Sequence, residues 1–163
     1  MSKNTGAQLD MASADREDLD EILKIDMHRD LDAPRARVFE ALTIPEQVAQ
    51  WWGPAVNMVG GAEVDAKVGG RYIVHMSGEN GEDFSMRGKI IELSPPEKLV
   101  IEFTRTFEDG SSRSTVLTLT LTEQGGGTRL HLLHTGFANL ELRDGFNGGW
   151  AHSMQHLADL LAA

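Results

Sequence analysis

Cysteine is absent from the 163-residue chain, and its absence excludes several classes of chemistry. Without thiols there are no disulfide bonds, thiolate metal sites, iron–sulfur clusters or cysteine nucleophiles. Long apolar runs are missing too, because none approaches the roughly 18 residues of a membrane-spanning helix. Residues 1–21 also lack the apolar core of a signal peptide. We therefore expect a cytoplasmic protein without a membrane partner.

Basic residues are scarce. Lysine and arginine together number 15, against 25 aspartates and glutamates, and the formal net charge is −10. Binding to duplex DNA requires clustered lysine and arginine to neutralise phosphates. We therefore expect no nucleic-acid partner. Hydrophobic residues nevertheless make up 40% of the chain, which is typical of a globular domain with a sizeable core.

The negative charge is distributed unevenly along the chain. Residues 1–21 contain two basic and six acidic residues, a net charge of −4. Their few large apolar side chains cannot offset the entropy of ordering the segment. We predict a flexible acidic arm over residues 1–21 and one domain over residues 22–163.

Recognisable catalytic and metal-binding motifs are also missing. The chain has no GxSxG elbow, no HExxH pattern and no glycine pattern of a nucleotide site. His152 and His156 have the i, i+4 spacing of two metal ligands, but on a helical wheel they point away from Trp150. We interpret His28, His75 and His131 as isolated and solvent-facing. The sequence therefore predicts no metal ion and no cofactor.

What the chain does contain is short alternating apolar segments separated by turn residues, followed by one helical segment. The run Thr115–Thr122 alternates leucine with threonine, as a half-buried strand does. Near the end of the chain, Trp150, Met154, Leu157 and Leu161 form one helical stripe. The predicted strands are Glu21–Leu31, Val56–Asp65, Arg71–Met76, Phe84–Leu93, Leu99–Arg105, Thr115–Thr122 and Thr128–Thr135, and the predicted helices are Pro34–Thr43, Pro45–Trp52 and Trp150–Ala163.

This order of elements predicts an α+β domain. Short turns, such as those at Glu79–Glu82 and Gly125–Gly127, connect antiparallel neighbours. The terminal helix is too amphipathic to stand alone in water and must pack on the strands. We predict a curved antiparallel sheet of six or seven strands around a long C-terminal helix, with two short helices after the first strand. The space between sheet and helix is a natural site for a small apolar ligand.

Ordered landmarks along residues 22–163 carry a family resemblance. They are Ala33-Pro34, Val38-Phe39, Ala41-Leu42-Thr43, Pro45-Glu46, Trp51-Trp52-Gly53-Pro54, Val68-Gly69-Gly70-Arg71-Tyr72, Gly88, Glu92, Pro95-Pro96-Glu97-Lys98-Leu99-Val100, His134-Thr135-Gly136-Phe137 and Gly149-Trp150. In these residues the chain resembles the bacterial single-domain activators of heat-shock-protein-90 ATPase, within the START-like (SRPBCC, helix-grip) superfamily. The resemblance implies a helix-grip fold and a ligand-binding domain.

Two polar residues are predicted to face the helix. His134 shares strand parity with Leu130 and Leu132, so it points inward. There it serves either as a general base or ligand partner, or as a core histidine bonded to the backbone. Tyr72, the only tyrosine, also points inward, and its hydroxyl needs a partner when buried. Trp51-Trp52 either plugs one end of the sheet or forms an aromatic wall of a cavity.

The first functional hypothesis is a cavity that binds a small apolar or aromatic molecule. Its predicted lining combines the inward strand residues with aromatic and helical ones. The lining residues are Trp51, Trp52, Tyr72, Val74, Met76, Met86, Ile90, Ile101, Phe103, Leu117, Leu119, Leu132, His134, Phe137, Trp150, Met154 and Leu157.

Two other classes of function stay open. An enzyme similar to the polyketide cyclases or hydratases of the superfamily would move a proton with His134, Tyr72 or a carboxylate. The resemblance also suggests a partner protein that stimulates a chaperone ATPase or acts in a stress response. An exposed edge strand or the Trp51-Trp52 corner would support a homodimer.

Overall fold

Seven strands form one antiparallel sheet within residues 23–52, 59–77, 83–106 and 109–162, which are the residues that the computed structural model describes. Three helices accompany these strands in the described ranges. In chain order the elements are β1 (Lys24–Leu31), α1 (Arg35–Thr43), α2 (Pro45–Trp51), β2 (Val59–Val64), β3 (Arg71–Ser77), β4 (Asp83–Ser94), β5 (Lys98–Thr106), β6 (Ser112–Gln124), β7 (Gly127–Thr135) and α3 (Leu140–Ala162).

The strand order in the sheet is β1-β7-β6-β5-β4-β3-β2. Strands β2 to β6 each pair with the next strand along the chain, whereas β1 pairs with β7. The helices α1 and α2 connect β1 to β2 at the opposite edges of the sheet. The α+β helix-grip fold predicted from the sequence is therefore confirmed. None of the helices in the described residues is long and apolar enough to cross a membrane.

One face of the sheet carries the core. Leu117, Leu119 and Leu121 of β6 are buried, and the threonines between them remain partly exposed. Since successive side chains of a strand point to opposite faces, this alternation assigns the leucines to the face that packs on α3. The register extends this face to both neighbours, because Leu117 lies opposite Ile101 of β5 and His134 of β7.

The β6–β7 hairpin turns at Gly125 and Gly126, which have φ angles of +56° and +87°. Positive φ is unfavourable for residues with a Cβ atom and readily adopted by glycine, so the predicted turn has a physical basis in these two residues. The third glycine of the run, Gly127, is already the first residue of β7.

The two short helices close one end of the layer between sheet and α3. Pro34 directly precedes α1, and Pro45 is the first residue of α2. Proline suits both positions because the backbone N–H that it lacks would have no acceptor within the helix. The indole N–H of Trp51 donates to the carbonyl of Ala41 at 2.7 Å, which joins the end of α2 to α1. Trp51 is fully buried.

The long helix begins earlier than the sequence predicted. It starts at Leu140, so the predicted start at Trp150 was wrong. Gly145, Gly148 and Gly149 lower the helix propensity of this half, but the side-chain Oδ1 of Asn139 accepts the backbone N–H of Leu142 at 2.9 Å. This N-cap, together with packing of the helix on the sheet, stabilises the additional turns.

Some predictions fall on other parts of the chain. The acidic arm of residues 1–21, the Gly53-Pro54 pair and the Glu79–Glu82 turn lie outside the described residues. Strand β2 is described from Val59, and the first three residues of its predicted range, 56–58, lie outside as well.

Candidate functional site

The core between sheet and α3 contains one buried histidine with both ring nitrogens engaged. Nδ1 of His134 lies 3.0 Å from the indole nitrogen of Trp150, and Nε2 lies 2.9 Å from the hydroxyl of Thr115. An indole N–H only donates, so Nδ1 is the acceptor and carries no proton. The neutral ring therefore holds its proton on Nε2 and donates it to Thr115.

Burial also keeps this histidine neutral. His134 has no exposed surface, and desolvation lowers its pKa from 6.5 to about 4. Its basic lone pair is occupied by the Trp150 N–H. The geometry thus suits a hydrogen-bond donor at Nε2 better than a general base, because a base needs a free lone pair directed at the substrate.

Tyr72 is the second polar residue of this layer. It is fully buried, and its hydroxyl donates to the backbone carbonyl of Leu42 at 2.7 Å. That carbonyl lies in the last turn of α1, where backbone carbonyls have no N–H donor within the helix. Burial raises the pKa of the Tyr72 hydroxyl far above its usual range. Tyr72 is therefore a neutral donor that fixes α1 to the sheet.

The rings around these two residues form a continuous group, which we call the aromatic cluster. Trp52 contacts Trp150 with ring centroids 4.8 Å apart, and Phe103 at 5.9 Å. His134 contacts Phe137 at 4.6 Å. Tilted and edge-on ring pairs of this kind stabilise the folded chain by more than their buried apolar area alone would. The members of the aromatic cluster are Trp52, Tyr72, Phe103, His134, Phe137, Phe146 and Trp150.

A glycine makes room for part of this cluster. Gly88 of β4 lies opposite both Tyr72 of β3 and Phe103 of β5, whose rings meet edge-on at 6.3 Å. A Cβ atom on Gly88 would lie 2.7 Å from Cγ2 of Ile101 and 2.8 Å from Cδ1 of Phe103. The side chains of the neighbouring strands therefore occupy the space over Gly88.

The predicted lining residues all belong to this core. Trp51 and Trp52 are buried within the chain, so the corner that they form is part of the interior. Met86 is half-buried. The remaining predicted lining residues, which are all buried, are Tyr72, Val74, Met76, Ile90, Ile101, Phe103, Leu117, Leu119, Leu132, His134, Phe137, Trp150, Met154 and Leu157. Their role in holding a ligand stays a prediction.

A family model with the description Activator of Hsp90 ATPase homolog 1-like protein matches residues 32–162, which is most of the chain. The chain belongs to this family. The match includes the aromatic cluster and all three helices, and it confirms the resemblance drawn from the landmarks.

Solved structures show the same fold. A protein from Nitrosomonas europaea superposes with a TM-score of 0.76 at 23% identity, covering 88% of this chain and 96% of its own. A protein from Chromobacterium violaceum has a TM-score of 0.70 at 28% identity, with 86% and 97% covered. The AHSA1 protein from Silicibacter pomeroyi has a TM-score of 0.72 at 20% identity, with 85% and 97% covered. No curated protein matches the chain.

Phe146 is not among the lining residues predicted from the sequence, although it belongs to the aromatic cluster. Its ring lies 5.6 Å from that of His134 and 5.3 Å from that of Phe137. The sequence placed the start of α3 at Trp150, so Phe146 was not assigned to the helix. The signal was nevertheless present, since Phe146, Trp150, Met154 and Leu157 follow the spacing of a single helical stripe.

The interpretation of the strand histidines as isolated was wrong. His28 of β1 lies opposite His131 of β7, and their rings stack with centroids 4.4 Å apart. Nε2 of His75 lies 2.8 Å from Glu63, and this hydrogen bond holds the pKa of the Glu63 carboxyl below its usual value. A sequence shows the parity of each strand, but only the register shows which histidines meet.

The helical histidines differ from each other. His152 is exposed, as its angle from Trp150 predicted. His156 is only half-buried, yet its Nδ1 is buried and has no hydrogen-bond partner among the described residues. The two side chains therefore do not present an equivalent pair of ligands to the solvent.

Proposed function

We propose that the chain binds a small apolar ring compound between the sheet and α3, against the aromatic cluster. The observation that carries this proposal is the concentration of rings at one end of the layer, from β3, β5, β7, α3 and Trp52, the residue that follows α2. Aromatic side chains supply large contact area and defined ring geometry for an aromatic ligand. Membership of a family with a helix-grip fold supports the same location.

Apolar residues at the border of the cluster supply the remaining contact area. Phe146 of α3 and Met86 of β4 pack against the core but stay half-buried. The register places Met86 beyond Gly88, toward the end of the sheet where α3 begins. A ligand that covers such residues gains about 25 cal/mol for each Å² of apolar surface removed from water. Methionine also adjusts its shape readily to a ligand.

The polar atoms of the cluster define the chemistry of the ligand. The Tyr72 hydroxyl is committed to the carbonyl of Leu42, which α1 needs as a partner. Nε2 of His134 donates to Thr115, a half-buried hydroxyl that solvent can satisfy in its place. A ligand with a carbonyl or ether oxygen would accept that N–H. We therefore propose an aromatic ketone or a similar ring compound with one hydrogen-bond acceptor.

Indole N–H signals in a ¹H–¹⁵N NMR spectrum of the full chain test the proposal. The chain has three tryptophans, and all of them lie in or against the aromatic cluster. We expect 2-acetylnaphthalene to shift the Trp52 and Trp150 signals saturably, and naphthalene to bind more weakly because it has no acceptor. Native mass spectrometry of freshly purified protein would add support if it detects a retained small molecule.

Two matched variants make the test sharper. Phe146→Ala removes a half-buried ring from the border, and we expect it to weaken 2-acetylnaphthalene binding by about threefold or more. Leu133→Ala removes a half-buried side chain from the other face of β7, and we expect no change in affinity. Unmoved indole signals at saturating ligand, or equal effects of the two variants, would overturn the proposal.

A further inference from the structure

The face of the sheet that points away from α3 gathers three metal-ligating side chains at its edge. Asp26 and His28 are two residues apart on β1, the edge strand, so both point to this outer face. His131 of β7 lies directly opposite His28 in the register. The inward residues of the same strands, such as Ile25 and Leu132, are buried in the core.

The three side chains already lie close enough to share one ion. The imidazole rings of His28 and His131 are nearly parallel, at 13° and 4.4 Å between centroids. Nε2 of His131 lies 2.7 Å from Oδ1 of Asp26. One ligand atom from each residue lies within 4.8 Å of the other two. Ligand atoms at about 2.0–2.2 Å from a tetrahedral zinc ion lie about 3.3 Å from each other. Small side-chain rotations would bring the three ligand atoms from their present separation to this distance.

We propose that Asp26, His28 and His131 form a binding site for a divalent transition-metal ion of the zinc class. Two imidazoles and one carboxylate suit Zn²⁺, Co²⁺ and Cu²⁺, whereas Mg²⁺ and Ca²⁺ prefer oxygen ligands alone. The ion takes the position of the hydrogen atom that the imidazole of His131 donates to Asp26. Three protein ligands leave a fourth tetrahedral position to a water molecule.

The neighbours of His131 on this face are charge-compensated or uncharged. The next outward pair along the two strands is Asp30 with Arg129, whose charges lie 3.9 Å apart and compensate each other. The side chain opposite His131 on β6 is the uncharged Thr120. The side chains of Asp26 and His131 keep 43% and 34% of their surface exposed, so they rotate without disturbing the core. The net charge of −10 also raises the local concentration of cations.

Titration of the full, untagged, metal-free chain with ZnCl₂ in a calorimeter tests the site. We expect one ion per chain, and we expect His28→Ala and His131→Ala each to weaken binding by about tenfold or more, since each removes one of three ligands. MgCl₂ serves as the negative control. Absence of zinc binding in the unchanged chain would overturn the proposal.

Two control variants separate this site from other histidines. His75→Ala removes a strand histidine that has a carboxylate partner, Glu63, but no second histidine in register. His152→Ala removes the exposed member of the helical pair. Both are expected to bind zinc as the unchanged chain does. Equal losses in either control and in His28→Ala would show an unspecific surface effect and reject the site.

Paramagnetic Co²⁺ locates the ion without any substitution. In the unchanged chain we expect one equivalent of CoCl₂ to broaden the imidazole signals of His28 and His131 before those of His75 and His152. Broadening that begins at His75 or His152 contradicts the proposal. The result does not depend on ligand binding at the aromatic cluster, because His134 faces the opposite side of β7.

Discussion

Trp150 donates its indole N–H to Nδ1 of His134 across 3.0 Å, and this bond joins the middle of α3 to β7. The bond exists only with a neutral imidazole, because a protonated Nδ1 would direct a second N–H at the indole. Protonation would also place a charge in the aromatic cluster, away from water. The contact between the helix and the sheet is therefore linked to the protonation state of His134.

The free energy of unfolding should decrease as the pH falls from about 6.5 to about 4. Burial lowers the pKa of His134 to about 4, whereas its value in the unfolded chain is about 6.5. Between these values the unfolded chain binds the proton and the folded chain does not, so acid favours unfolding. The full contribution is about 3 kcal/mol, present above pH 6.5 and lost by pH 4. Urea denaturation at several pH values measures it.

His134→Gln supplies the control for this pH dependence. The glutamine amide does not titrate, and its oxygen can accept the Trp150 N–H. We expect the difference in unfolding free energy between the original chain and this variant to shrink as the pH falls through this range. Parallel curves for the two proteins would show that His134 does not contribute the dependence.

Tyr72→Phe should destabilise the chain by about 1–3 kcal/mol, because it leaves the buried carbonyl of Leu42 without its donor. The ring and its packing against Phe103 are retained, so the loss reports on the hydroxyl alone. Chemical denaturation at pH 7 measures the difference.

Thr104→Ala is the matched control for the loss of a hydroxyl. Thr104 bonds to Ser114 on the surface of neighbouring strands at 3.0 Å, where water replaces the lost partner. We expect a change within about 0.5 kcal/mol. A Tyr72→Phe effect as small as this would mean that Leu42 finds another donor.

The strands were predicted correctly because only one face of the sheet packs on the core, which gives each strand an alternating apolar pattern. The leucines of β6 alternate strictly, so the sequence alone assigns their faces. The start of α3 was not predictable in this way. Its first turns contain Gly145, Gly148 and Gly149, and the helix there depends on the Asn139 cap and on tertiary contacts of Phe146.

The candidate site was predictable in orientation but not in its contacts. Strand parity correctly placed Tyr72 and His134 on the inner face. Their partners, Leu42 and Trp150, belong to helices whose position over the sheet is set by packing, which a one-dimensional pattern does not contain. His28 lies opposite His131 only because of the β1–β7 register, and that register pairs the first strand of the sheet with the last one along the chain.

Gly88→Ala should destabilise the chain by about 1–3 kcal/mol through overpacking. The added methyl group would lie 2.7 Å from Ile101 and 2.8 Å from the ring of Phe103, and both side chains are buried. Thermal denaturation measures the effect. Lys89→Ala on the exposed face of the same strand is the control, and we expect a change within about 0.5 kcal/mol. An unchanged melting temperature for Gly88→Ala would show that the two side chains yield without strain.

Gly145→Ala should have the opposite effect and stabilise the chain by about 0.5–1 kcal/mol, because alanine loses less backbone entropy than glycine in a helix. Gly145 lies in α3, and a Cβ atom there would meet nothing within 4 Å. Gly136→Ala provides the contrast, since Gly136 has a φ of +95° and its Cβ atom would lie 3.0 Å from the carbonyl oxygen of Ser114. We expect that variant to be destabilised in the same denaturation experiment. A loss of stability in Gly145→Ala would mean that the first half of α3 needs glycine for a contact beyond its own helix.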